Sequence, residues 1–180
     1  KPRPQDAPSA EEHSEAPGAG AGSDQPGYVW IAWLLIFTAM FAQRPIQTYF
    51  PALSAERGIS PFLAGLPLCL HMLIQGVSGF LMHYARRVLY RRTPLFLVQA
   101  IAAAAFLVLW RVPSYGACAV GIALLGLWTG FAYFCAVFYA GNSGNRAFNI
   151  GVNECLVGLG SFAGLFVSEW FMKRGNDPAI

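Results

Sequence analysis

Three groups of polar residues interrupt otherwise apolar stretches, and each has the types and spacing to do chemistry. In the first, Gln47 follows Arg44 by three residues and Gln43 by four, which places the three on one helical face. Pro45 lies among them and frees a backbone carbonyl one turn earlier. A guanidinium held there would bind an anion or orient a solute; the alternative is an arginine that snorkels to the headgroups. In the second group His71, Gln75 and Ser78 fall at i, i+4 and i+7. Histidine takes up a proton near physiological pH, and its alternative is a neutral ring bonded to a neighbouring helix. The third begins at Asn153 and Glu154 and continues through Gly158, Gly160, Ser161, Gly164 and Ser168. Glu154 is the only acid well inside an apolar run, and burial favours the protonated carboxyl that proton coupling requires. Its alternative is an ion pair with Arg146 or a loop arginine. Gly160 and Gly164 form a small-xxx-small pair that lets another helix approach closely.

Other chemistry finds little support. Cys69, Cys118, Cys135 and Cys155 lie in apolar runs, where a thiol behaves as a small hydrophobe. No CxxC or Cys/His spacing points to a metal, nothing implies a cofactor, and no Ser/His/Asp grouping supplies a catalytic set.

The elements that position these residues follow from composition. Hydrophobic residues make up 56% of the 180 and charged residues 12%, against about 25% charged in an ordinary soluble domain. Residues 1–27 carry seven of the 21 charges and are rich in Pro, Ala, Gly, Ser and Glu. That composition predicts a disordered cytoplasmic linker or tail. Beyond it, five runs reach the length of about 20 apolar residues that a membrane-crossing helix needs: 28–50, 61–84, 94–110, 116–140 and 148–172. Turn residues separate them, namely Arg57-Gly58 with Ser60-Pro61, Thr93-Pro94, Pro113-Ser114 and Gly141-Asn142-Ser143-Gly144. Continuous runs of this length exclude a membrane barrel, whose strands alternate over about 10 residues. The expected fold is all-α, a polytopic transmembrane helix bundle of about five spanning helices, with its transmembrane domain over 28–172.

Arg86, Arg87, Arg91 and Arg92 fall between the second and third runs without an acid, and Arg146 precedes the fifth. The positive-inside rule puts that end in the cytoplasm. Residues 173–180 are then expected to form an outer loop leading to a missing sixth helix. Tyr28, Trp30, Tyr49, Trp110, Tyr115, Tyr139 and Trp170 suit an interfacial belt or a core. The third run holds only Gln99 and should face lipid at the periphery; the fourth, with Thr129, Tyr133, Gly121, Gly126 and Gly130, should pack closely. The net charge of +3 and the clustered arginines, without interleaved exposed aromatics, exclude a nucleic-acid partner.

The order of these features resembles half of a major facilitator superfamily (MFS) transporter. Tyr49-Phe50-Pro51-Ala52-Leu53 through Gly58-Ile59-Ser60 and Leu63-Ala64-Gly65-Leu66 resembles the end of a half's first helix, its outer loop and the start of its second. Gly79 through His83 to Arg86-Arg87 and Arg91-Arg92 resembles the family's cytoplasmic loop motif, with His83 where the motif has Asp and Tyr84 at the next, basic position. Arg146 through Gly151, Asn153-Glu154 and Gly158-Leu159-Gly160-Ser161 resembles the start of the fifth helix, without the proline of the antiporter motif. The resemblance covers residues 28–172 and implies the C-terminal half of a six-plus-six protein, with residues 1–27 as the linker between halves.

The function expected is secondary active transport of a small solute by alternating access, with proton coupling as one form of it. Gln43, Arg44, Gln47, His71, Gln75 and Asn153 are the candidate solute contacts. Glu154 or His71 would couple to protons, and Arg86, Arg87, Arg91 and Arg92 form the cytoplasmic basic loop. The expected location is the plasma (inner) membrane, multi-pass, with the bilayer and the N-terminal half of the same protein as partners. The competing readings are an integral-membrane enzyme and a non-transporting scaffold subunit.

Overall fold

The structure is a computed structural model and describes residues 26–85, 89–111 and 114–175. Among the described residues there are five helices and no strand: α1 (Pro26–Glu56), α2 (Pro61–Tyr84), α3 (Arg92–Arg111), α4 (Tyr115–Gly141) and α5 (Arg146–Gly175). All five are long and apolar enough to cross a membrane. The predicted tail falls almost wholly within 1–25, outside the described residues, as do Arg86 and Arg87.

Every helix but the second runs beyond its predicted bounds, and three of the differences have a clear local setting. The first helix does not stop at Phe50 but runs through Pro45 and Pro51 to Glu56. At 31 residues it extends about 46 Å, longer than a hydrocarbon core of about 30 Å. What stops it is Gly58, at φ 72°, in a Schellman turn: Ile59 N–H donates to the Ser54 carbonyl and Gly58 N–H to that of Ala55. Ser60 then caps α2 by accepting from Leu63 N–H, with Pro61 in the first turn. The third helix starts two residues before Pro94, because a first-turn proline lacks only an N–H that has no intrahelical partner there. Finally, residues 173–175, expected in an outer loop, belong to the last turn of α5; residues 176–180 lie outside the described residues.

Short connections make successive helices antiparallel, so α1, α3 and α5 run one way and α2 and α4 the other. The most extensive contacts join α2 to α4 and α1 to α5, two parallel pairs. Glycines set both. A Cβ on Gly126 would stand 2.6 Å from the His71 carbonyl oxygen, and one on Gly130 would strike Ser78 and the Gln75 carbonyl. On α5, a Cβ at Gly160 would lie 2.6 Å from the Phe37 carbonyl oxygen, and Gly164 meets the Phe41 carbonyl in the same way. That last carbonyl is the one Pro45 leaves without an intrahelical donor, and Gly164 brings a Cα–H to it. Pro67 likewise frees the Leu63 carbonyl, which the Tyr115 hydroxyl satisfies at 2.8 Å.

The fourth helix is the centre of the bundle, touching each of the others, and 61% of its span is buried against 11% for α3. As expected, α3 is peripheral. Phe62, Trp110, Phe96, Phe162 and Phe166 are all more than half exposed on outer faces. So much outward apolar surface would aggregate in water and costs nothing in hydrocarbon; the chain is built as a multi-pass membrane protein. At one end the hydroxyls of Tyr28 and Tyr139 donate to the carbonyls of Tyr90 and Leu89, and the three tyrosine rings cluster. Tyr139 is therefore core, whereas Trp30 and Trp110 point outward. At the other end, Arg111 and Arg174 stack on Trp110 and Trp170, suiting an interfacial position.

Candidate functional site

The polar residues separate into a buried chain and an exposed edge. His71 is buried, and its Nδ1 lies 2.9 Å from the Ile122 carbonyl of α4. A carbonyl only accepts, so Nδ1 carries a proton and Nε2 of the neutral ring is an acceptor. The Gln43 amide nitrogen fits it, donating to His71 Nε2 and to Gln75 Oε1, each at 3.0 Å. Three helices are thereby linked in mid-span through α1, α2 and α4. Such bonds replace water that hydrocarbon cannot supply. Both hydrogens of the Gln43 amide are used, which leaves its Oε1 buried without a donor. Gln75 also lines a groove of about 320 Å³ between α2 and α4, beside Tyr133 and Gly130, so the chain reaches the bundle surface there. Ser78 turns its hydroxyl onto the Gln75 carbonyl, and Thr129 turns its own onto that of Gly126.

Arg44 is next to Gln43 in sequence but about 100° around the helix, and it points the other way, to the exposed side. Its Nε donates to Ser161 Oγ on α5 at 3.2 Å and its Nη1 to Gln47 Oε1 at 3.3 Å. Gln47 in turn contacts Met72 Sδ on α2 at 3.9 Å. A guanidinium has five N–H donors and only two are spent here, which leaves the rest for a ligand. Gln43, Arg44 and Gln47 thus do not act as one face: Gln43 holds the interior while Arg44 and Gln47 edge the exterior between α2 and α5.

Two expectations for α5 are corrected. Glu154 is exposed, not buried, and among the described residues it has no ion pair, with Arg146 or otherwise; the ion pair there is Lys173 with Glu169 at 2.8 Å. The reason is rotational. Gly160 and Gly164 turn toward α1, so residues 151, 154, 155, 158 and 162 are carried to the outside. Glu154 nonetheless lies seven residues before Ser161, on nearly the same side of the helix and about 10 Å along it. Asn153 is buried, with Oδ1 lacking a donor. It lies seven residues before Gly160, hence about 10 Å from the level of the Gly160 contact, and it joins neither polar group.

Ser161, which docks Arg44, joins the site only in the folded structure. Its signal was present in its place beside Gly160, on the stripe that faces α1. Of the basic loop, Arg91 and Arg92 are exposed at the end of the bundle where the tyrosines cluster. Among the described residues no three His, Cys, Asp or Glu side chains gather as a metal site. No family model, curated protein or solved structure matches the chain.

Proposed function

We propose that the chain is the C-terminal half of a secondary active transporter of the major facilitator type, moving a small solute across the plasma (inner) membrane by alternating access. The observation that carries the reading is the pair of polar groups in mid-span. A hydrogen-bonded chain through Gln43, His71 and Gln75 fixes α1, α2 and α4, and beside it Arg44 presents unspent donors on an exposed face. Polar groups at that depth are costly unless they border a watery path or a binding site. Unspent guanidinium donors suit a solute with a carboxylate or phosphate.

The helix pairing adds support. Transporters of this type are built from three-helix repeats of inverted topology. Exchanging α1 with α4 and α2 with α5 turns the α1·α5 pair into the α4·α2 pair, and these are the two most extensive contacts in the bundle.

In this reading Glu154, on the exposed face with Ser161, is the proton-coupling candidate. His71 is a poorer one, because a second ring proton would confront the Gln43 amide hydrogens and force that amide to turn over. Counterflow of labelled carboxylate- and phosphate-bearing solutes by the full-length protein in vesicles, with and without a pH gradient, tests the proposal. Saturable counterflow is expected, with accumulation driven by the gradient. Absence of counterflow across the panel would favour a scaffold.

A further inference from the structure

A second opening in the bundle belongs to none of these groups. A groove of about 570 Å³ runs between α1 and α3 over the floor of α4, within the roughly 300–1,000 Å³ range of small-ligand clefts. Its walls are mainly apolar, from Ile31, Leu34 and Leu35 on one side and Leu95 and Phe96 on the other, with Trp128 beneath. Its polar members are few. Thr38 turns its hydroxyl back onto the Leu34 and Leu35 carbonyls. Trp128 is 4% exposed, and its indole N–H is buried with no acceptor. Gln99 lies one face of α3 deeper than Arg92, seven residues on, or about 10 Å.

Arg92 lines the groove at the end where Tyr28 meets Tyr90. It is exposed, as is Arg91 beside it, and among the described residues neither has an ion-pair partner. No acid lines the groove. What would satisfy the site is therefore a molecule with an anion at the membrane surface and a hydrocarbon chain beyond it.

We propose that this groove seats an anionic glycerophospholipid from the leaflet bordering Arg91 and Arg92. Its phosphate rests on Arg92, and an acyl chain follows the Leu34, Leu35 and Phe96 walls over Trp128. Basic positions between spanning helices at the headgroup level select anionic over neutral lipid. A further apolar helix in the same place would leave Arg92 unneutralised. The proposal is independent of transport.

Native mass spectrometry of the full-length protein tests it, with phosphatidylglycerol and phosphatidylcholine of matched chains added after delipidation. The site predicts preferential retention of phosphatidylglycerol. Arg92→Gln should reduce that retention about fivefold, the effect of one basic residue at an anionic surface, and Arg111→Gln at the opposite end should not. Phosphatidylglycerol carrying a photoreactive acyl chain should label peptides containing Leu34 and Phe96 in the unmutated protein. Equal retention of the two lipids, undiminished retention by Arg92→Gln, or labelling that spares α1 and α3 would overturn it, the last by showing that something other than lipid fills the groove.

Discussion

The interior of the bundle around His71 and the outer face of α5 around Glu154 handle polar residues in opposite ways. Around His71 both ring nitrogens, the Gln43 amide nitrogen and Gln75 Oε1 have partners on another helix, and glycines bring the backbones together. Around Glu154 the carboxylate is exposed and has no ion-pair partner among the described residues, and Gly151 and Gly158 have no neighbour within reach of a Cβ. The first arrangement fixes a structure. The second leaves a carboxylate on an outer face of the described bundle. The same contrast separates residues whose loss should unfold the bundle from residues whose loss should affect only what passes over it.

The largest effect that would break this comparison concerns the glycines. Gly130→Val drives methyl groups into the Gln75 carbonyl and Ser78, and should cost about 3 kcal/mol. Gly158→Ala on the open face should cost nothing and by helix propensity can gain up to about 1 kcal/mol. Thermal unfolding in detergent, followed by tryptophan fluorescence, compares the two; equal losses would erase the distinction. His71→Leu leaves the Gln43 amide and the Ile122 carbonyl without their shared partner and should cost about 1 kcal/mol, the scale of a hydrogen bond between membrane helices. Glu154→Gln should leave unfolding unchanged while abolishing gradient-driven accumulation and sparing exchange. A destabilised Glu154→Gln would mean that the carboxylate is structural after all. The subtlest case is Arg44→Lys, which keeps the charge but not the fork that reaches Ser161 and Gln47. Solute affinity should fall about tenfold if planar recognition matters, whereas wild-type affinity would assign Arg44 to headgroup snorkelling.

Much of the architecture is written locally and could be read in advance. Apolar run length gives the five spans, Gly58 with Ser60-Pro61 gives the first turn, and the lone Gln99 marks α3 as peripheral. Gly160 and Gly164 announce a close helix contact. Other features depend on how helices rotate against each other, which one strand of sequence does not encode. Periodicity groups Gln43 with Arg44, yet a turn of 100° between them assigns one to the core and the other to the surface. Glu154 follows Asn153 directly, and the Gly160/Gly164 contact sends them to opposite environments. The prolines show a third kind of information. Pro45 and Pro67 can be read as carbonyl-freeing, but that Gly164 and Tyr115 answer those carbonyls emerges only when the helices are assembled.

Transport along this bundle requires the exposed polar face of α1 and α5 to border water rather than lipid. In a background with the four native cysteines replaced by alanine, single cysteines at 154 and 161 should react in membranes with a charged, water-soluble thiol reagent. A cysteine at Phe96, on the outer face of α3, should not. If position 154 proves as unreactive as position 96, that face meets hydrocarbon and the solute path drawn along it does not exist.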